Sequence, residues 1–421
     1  MSESEKRRFP ASTDARGFVV YAGVLAFAAY FSMYAFRKPF AAGLYEGSLF
    51  GVEEKTAFVV AQIAGYTLSK FIGVRVLSAL AASRLRFTLL FTVFVAWLAL
   101  LAFAVLPPAG AALALFFNGL PLGLVWGLVV RYLEGRRQSE ALLAGMSASF
   151  IVASGAVKDI GRELLAQGVS EEWMPALVGA LFLPLYVGAV FLIDRLPPPS
   201  ELDISLRNER RAMTRQERGD FLRRYAGSLI PLFAIYFCLT AYRDFRDNYG
   251  VEIFEALGYQ EAALFTQSEL PVAVLVLVVL GALYRVRDRR RGLIAVYAVM
   301  MLGMLVLILS PVLRGSGLIS GMTWMVLTGV GSYFAYVPFG AMLFERLVAI
   351  SGGAGTAVFA IYIADALGYT GSIALQLGRD LIAPDVTRLV FFEGFTLALG
   401  VGALLLFAVS LCVLLRTRRT S

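Results

Sequence analysis

Apolar residues fall into twelve runs along this chain, at approximately 18–42, 57–82, 87–106, 110–132, 139–165, 174–194, 226–254, 262–284, 293–313, 318–343, 354–377 and 390–415. Each is near the ~20 residues that an α-helix needs to cross a bilayer. The polar breaks between the runs alternate in sign. Basic residues gather at Arg7 and Arg8, at Arg84 and Arg86, at Arg136 and Arg137, from Arg195 to Arg224, from Arg285 to Arg291, at Arg346, and from Arg416 to Arg419. With twelve crossings these all lie on one side. The opposite breaks carry Glu46, Glu53, Glu54, Glu171, Glu172 and Glu261. The positive-inside rule then predicts that both termini are cytoplasmic.

The one long polar stretch, 196–225, opens on Pro197, Pro198 and Pro199. It divides the chain into two predicted six-helix bundles, 1–195 and 226–421, with a cytoplasmic linker between them. The halves echo each other. Tyr30, Phe31, Ala35 and Arg37 return as Tyr236, Phe237, Ala241 and Arg243. One constant offset relates Gly119 to Gly329, Trp126 to Tyr336, and Leu133-x-x-Arg136 to Leu343-x-x-Arg346. Gly161-Arg162-Glu163-Leu164 returns as Gly378-Arg379-Asp380-Leu381. The predicted fold class is therefore an all-α polytopic membrane protein, with twelve transmembrane helices in two pseudo-symmetric bundles. Parallel repeats of this kind fit the major facilitator architecture, whose substrate site lies between the halves near the bilayer midplane.

Composition narrows the function. The chain is 59% hydrophobic and 16% charged, with mean hydropathy +0.74, too apolar for a soluble protein of its length. The first run is followed by no small-residue cleavage pattern and is expected to be a retained helix. Cys238 and Cys412 both lie in apolar runs and are expected to be core residues. The absence of histidine excludes histidine proton relays and most zinc or haem chemistry. The net charge of +8 is segregated to one set of loops, so it reads as topology signalling and lipid contact, not nucleic-acid binding. No clustered Ser/His/Asp, metal-ligand spacing or Gly-rich phosphate loop points to an enzyme or a cofactor.

Charges inside the apolar runs are the candidate chemistry, because such groups are costly in a membrane and rarely placed there without a task. Tyr30, Tyr34 and Arg37 follow helical spacing on one face, with Lys38 beside them. Pro39 is expected to bend the first span near Lys38. Tyr236, Thr240 and Arg243 repeat the face in the seventh run, and Asp247 continues it. Lys70 lies too deep in its run to snorkel to water, which places it against a polar cavity. Glu269 is expected at the depth of Arg243 and to pair with it when substrate is absent. Asp365, in mid-run, is a carboxylate partner for the cations, a proton-coupling group or a helix-packing contact. Lys158, beside Asp159, joins the charge network or forms an interfacial pair, and Arg246 with Asp247 reads as a local pair. The rival reading of Arg37 is an anchor at the outer surface.

Tyr34-Ala35-Phe36-Arg37-Lys38-Pro39-Phe40 resembles the first-helix Arg-Lys motif of the organophosphate:phosphate antiporters, the glycerol-3-phosphate and hexose phosphate carriers of the major facilitator superfamily. Gly65 to Gly73, centred on Ser69-Lys70-Phe71, resembles that family's second-helix motif. Arg243 falls where the family places its second phosphate-binding arginine, and Glu269 in a comparable eighth-helix position. The resemblance implies that Arg37 and Arg243 clamp a phosphoryl group, with Lys70 in the surrounding network. The chain departs from the pattern in lacking the fifth-helix histidine and an acidic residue after the second helix. Its Tyr336–Gly340 and Phe344-Glu345-Arg346 stretches have no counterpart there, which marks a divergent branch.

The expected function is secondary active transport of an organic anion by alternating access, with a phosphorylated metabolite exchanged for inorganic phosphate. Two alternatives are proton-coupled transport of an organic carboxylate or lipid-like anion, and a non-transporting membrane sensor of a phosphate ester. The expected substrate-binding residues are Arg37, Lys38, Arg243, Lys70, Tyr30, Tyr34 and Tyr236. Glu269, Asp365, Asp247 and Lys158 form the expected coupling network. The expected setting is a monomer in the bacterial cytoplasmic membrane, in contact with lipid, without metal or cofactor.

Overall fold

A computed structural model describes residues 15–133, 139–197, 215–261, 263–286, 288–351 and 357–417. The chain divides into two compact units, Met1–Asn208 and Glu209–Ser421. Both termini, Arg136, Arg137 and most of the predicted linker lie outside the described residues.

The first unit contains α1 (Ala15–Tyr34), α2 (Glu54–Ala79), α3 (Leu85–Val105), α4 (Pro108–Leu133), α5 (Ser139–Ala166) and α6 (Met174–Ile193). The second contains α7 (Arg215–Asn248), the short α8 (Gly250–Ala256), α9 (Leu264–Tyr284), α10 (Arg289–Gly315) and α11 (Gly321–Pro338). It continues through a π-helical turn, Phe339–Leu343, into α12 (Phe344–Ser351), α13 (Ala357–Ile382) and α14 (Arg388–Thr417). The helix α7 begins at Arg215, inside the segment that the sequence assigned to the linker.

The duplication appears in how the helices pack. In the first unit α1 packs on α5 and α6, α4 packs on α2 and α3, and α3 packs on α6. In the second, α7 packs on α13 and α14, α11 packs on α9 and α10, and α10 packs on α14. The two sets of contacts correspond pair for pair. Gly119 shows why a glycine belongs at one such crossing: a Cβ there would run into Gln62 O and Tyr66 N of α2. Small residues at helix crossings let backbones approach where burial of apolar surface gives little drive.

Among the described residues nine helices are long and apolar enough to cross a membrane, and the chain is an integral membrane protein. The three other long helices are α2, α5 and α13. They carry Lys70, Lys158 and Asp365 respectively. Between α1 and α2 a two-residue hairpin pairs Ser48–Leu49 with Val52–Glu53. Its turn residues Phe50 and Gly51 both have positive φ, at 57° and 80°, as a tight turn matched to strand twist requires.

Candidate functional site

Two polar clusters lie inside the units, one in each, at positions the sequence repeat relates. The first forms where α1 stops. Pro39 has no N–H and disfavours helix at Lys38, so α1 ends at Tyr34 and residues 35–38 turn out of it. The predicted bend is thus a full break, and Pro39 opens a 3-10 turn through Ala42. A break in apolar surroundings frees backbone carbonyls that need donors. Asn118 of α4 donates to Phe36 O at 2.9 Å and to Ala96 O of α3 at 2.9 Å. Gln62 of α2 donates to Arg37 O at 2.7 Å and to Asn118 Oδ1 at 2.8 Å. Both amides use both of their N–H groups, so the interrupted backbone is held rigidly.

This break aims Arg37. Its guanidinium lies 3.8 Å from the centre of the Tyr66 ring and 5.8 Å from that of Tyr34. Lys70 Nζ lies 5.2 Å from the same Tyr66 ring, so the structure does bring Arg37 and Lys70 together. Such cation–ring contacts are worth more when water is excluded. Arg37 is 5% exposed, which removes the reading of it as a surface anchor. Lys38 is buried at the start of the 3-10 turn, and Lys158 is buried on α5. Tyr30 meets Tyr34 edge-on and Trp126 at 4.9 Å.

In the second unit Phe245 stands where the repeat would place Pro39, and α7 continues unbroken to Asn248. Arg243 pairs with its neighbour Asp244 at 2.8 Å. It does not pair with Glu269, as the sequence suggested. Glu269 belongs instead to Arg246, at 2.5 Å, and so does not leave Arg246 to a local pair with Asp247. The residues three apart on α7 point different ways: Arg246 faces α9 and α11, whereas Arg243 faces an aromatic cluster. Arg246 further donates to Met325 O at 2.8 Å and Thr328 Oγ1 at 3.2 Å. A Cβ at Gly329 would strike this guanidinium, so the glycine keeps its seat open. Asp247 is half-buried on α7.

The aromatic cluster centres on Tyr236. Its ring stacks on Tyr336 at 5.2 Å, and Arg243 lies 4.3 Å from the centre of the Tyr336 ring. Tyr236 Oη is 2.7 Å from Asp365 Oδ1 and 3.2 Å from Tyr336 Oη. A Cβ at Gly368 would meet Tyr236 and Thr240, so this glycine lets α13 carry Asp365 up to α7. The pairs Tyr30–Trp126 and Tyr236–Tyr336 are the echoes seen in the sequence, now in ring contact.

Sequence reasoning missed Gln62, Asn118, Tyr66, Asp244 and Thr328 as members of these clusters. Neutral amides in an apolar run give a weak signal. Tyr336 was visible through the repeat, though without a partner.

Solved structures share this fold. A POT family transporter in complex with a thioalcohol-conjugated peptide is 14% identical, with TM-score 0.61 and 96% of each chain covered. A structure described for substrate recognition in proton dependent oligopeptide transporters is 12% identical, with TM-score 0.64, covering 96% of this chain and 99% of that one. The nucleoside transporter NupG is 12% identical, with TM-score 0.60, covering 94% and 98%. The fold is thus the major facilitator fold, and the specific likeness to organophosphate antiporters rests on the sequence motifs alone. No curated protein sequence matches the chain. The family match spans residues 39–417, every helix after α1, and places the chain in the family described as "Family of unknown function (DUF5690)", to which it belongs.

Proposed function

We propose that this protein is a secondary transporter for a small organic anion, with Arg37 and Arg243 as its anion-binding groups. One observation carries the reading: both units hold an arginine at repeat-related positions against the face of a tyrosine, Arg37 buried and Arg243 half-buried. A guanidinium fork matches the paired oxygens of phosphate or carboxylate, and a dry site strengthens that match. Lys38, Lys70 and Lys158 add positive charge in the first unit. The fold supports transport as the class of activity. A phosphorylated metabolite exchanged for inorganic phosphate across a bacterial cytoplasmic membrane is the cargo this charge pattern and the first-helix motif favour.

Coupling to protons is a second reading, supported by the contact between Asp365 and Tyr236. Counterflow in liposomes with the pH gradient collapsed separates the two, because exchange persists there and proton-driven accumulation stops. The primary test uses purified protein in liposomes loaded with inorganic phosphate and offered a panel of phosphate esters and carboxylates. Uptake lost in both Arg37→Ala and Arg243→Ala supports the anion reading. Uptake retained in both variants overturns it. Saturable binding without flux in the wild type makes the protein a sensor.

A further inference from the structure

We infer that Glu171 is a positioning residue for Arg37 and Lys38: it straps the segment that carries them to the connection between α5 and α6, and the strap opens when Glu171 takes up a proton. The strap stands on geometry alone. Its effect on binding rests on the reading of Arg37 as an anion ligand.

Residues 35–47 form no α-helix, so their backbone groups need partners from elsewhere. Side chains supply them. Asn118 serves Phe36 O and Gln62 serves Arg37 O. Lys55 of α2 donates to Ala41 O at 3.1 Å. At the far end the roles reverse, and the backbone donates. Leu44 N reaches Glu171 Oε1 at 2.7 Å, and Tyr45 N reaches Glu171 Oε2 at 2.9 Å. One carboxylate thus holds two successive N–H groups, as turns do when they grip an anion. The phenol adds a third bond, from Tyr45 Oη to Glu171 O at 3.2 Å.

The strapped backbone is strained. Tyr45 has a φ of 51°, a left-handed conformation that residues with a side chain rarely adopt. Its ring meets Phe58 of α2 and Phe103 of α3 edge-on, at 5.2 and 5.8 Å. A Cβ at Gly43 would strike that ring, so the chain folds tightly back on itself. The segment also lies against both helices that Glu171 joins: a Cβ at Gly161 of α5 would meet Ala42 Cβ and Met174 Sδ of α6. Of the four side chains that hold the segment, Gln62, Asn118 and Lys55 are buried, and Glu171 is half-buried. Glu171 is therefore the ionisable anchor that water can reach.

An ionised carboxylate accepts at both oxygens, whereas a protonated one turns one of them into a donor. That oxygen then faces an N–H, and the fork is lost. The new O–H is the one covalent bond formed, and its proton comes from water. The charged groups around Glu171 are mostly acidic. Glu172 adjoins it, and Glu54 at the start of α2 feels both carboxylates. All three act on the phenol of Tyr45. Glu46 and Glu53 are exposed on either side of the hairpin. The end of α5 brings Glu163, which accepts from Gln167, with Arg162 before it and no basic residue in the last turn. The first turn of α6 carries no acid, and α3 presents Phe103. Lys55 is turned to Ala41 O. Repulsion among like charges favours proton uptake by such a group of carboxylates.

The test has two readouts on the full chain in detergent. The first is hydrogen–deuterium exchange in peptides spanning Phe40 to Phe50, corrected for the pH dependence of free amides. Protection at Leu44 and Tyr45 should fall about tenfold in acid, the worth of a hydrogen bond to a charged group, while peptides from α2 keep theirs. Glu171→Gln, with a single accepting oxygen, should show low protection at every pH. Glu172→Gln should keep full protection at neutral pH and move the fall to lower pH, because one neighbouring negative charge is gone. Wild-type protection that does not change with pH, or a Glu171→Gln variant protected like the wild type, overturns the strap. The second readout is binding of sulfate, whose own charge stays constant over the range. Affinity should fall in the same pH window and stay low throughout in Glu171→Gln. Loss of negative charge alone would tighten sulfate, so the sign separates positioning from charge. Affinity that holds or rises while the strap opens refutes the positioning role. No sulfate binding in the wild type, with the exchange results as expected, counts against the anion reading of Arg37 and leaves the strap in place.

Discussion

The two units share one packing plan and solve the same polar problem with opposite chemistry. At the crossing of the first and fourth helices of each unit, a buried polar lock holds the arginine-bearing segment. In the first unit the lock is neutral, Gln62 with Asn118, and it serves carbonyls released by the break at Pro39. In the second the helix runs on, and the lock is the ion pair Arg246–Glu269. The neighbours of the two repeat-related arginines differ likewise. Arg37 is followed by buried Lys38, and Arg243 by Asp244, which pairs with it. A duplicated scaffold fixes where an arginine sits, and the residue beside it decides how much positive charge the position keeps.

Removing one partner of the charged lock should have the largest effect. Glu269→Ala leaves a buried guanidinium without its counter-charge and should cost about 3–5 kcal/mol, read as thermal unfolding in detergent. The double change Arg246→Met with Glu269→Leu should recover most of that loss. A single-variant cost under about 1 kcal/mol would mean that the pair is wetter than its burial indicates. The neutral lock should be cheaper to break. Asn118→Ala strands Phe36 O, Ala96 O and a Gln62 N–H, for about 2–3 kcal/mol. If it equals or exceeds the Glu269 variant by the same measurement, the contrast between the locks fails.

The neighbour rule gives a smaller effect, on binding. Asp244→Asn should tighten sulfate or phosphate binding by roughly tenfold, since Arg243 loses a charge-assisted partner that competes with the ligand. Lys38→Asn should weaken it by a similar factor. Equal and unsigned effects of the two would show that Asp244 positions Arg243 and does not compete for it.

The smallest expected effect lies outside the spans. Glu171 accepts from Leu44 N at 2.7 Å and Tyr45 N at 2.9 Å, tying the segment after the first break to the connection between α5 and α6. Beside it Glu54 is pushed up from the ordinary carboxylate range, by burial first and then by Glu172 and Glu171. A raised folded value means that the contribution of Glu54 to stability is full below its unfolded pKa. It is lost as pH rises through the folded one. Glu54→Gln should therefore match the wild type in acid and become slightly more stable as the pH rises, by less than about 1 kcal/mol for so exposed a group. An advantage that shrinks with rising pH would refute the sign.

Much of this was legible in the chain. Twelve apolar runs, the alternating loop charge and the repeated Tyr–Arg pattern follow from local composition, because lipid forces each spanning segment to satisfy its own backbone. The repeat related Tyr30 to Tyr236 and Trp126 to Tyr336, and the structure shows that the members within each unit are in ring contact. The Glu269 assignment went astray for a rotational reason. Depth along the membrane can be estimated by counting residues, but Arg243 and Arg246 differ by three positions and so point to different neighbours. Gln62 and Asn118 escaped notice because the carbonyls they serve exist only once Pro39 has stopped α1.

Sequence alone determined the class, the duplication and the identity of the membrane-embedded charges, because each is a property of short segments in a fixed solvent. Tertiary structure alone decided the pairing: Glu269 to Arg246, Asp244 to Arg243, and Asp365 to Tyr236. Pairing depends on the faces that separate helices turn toward each other, and glycines make room on those faces, Gly329 for the Arg246 guanidinium and Gly368 for Tyr236 and Thr240.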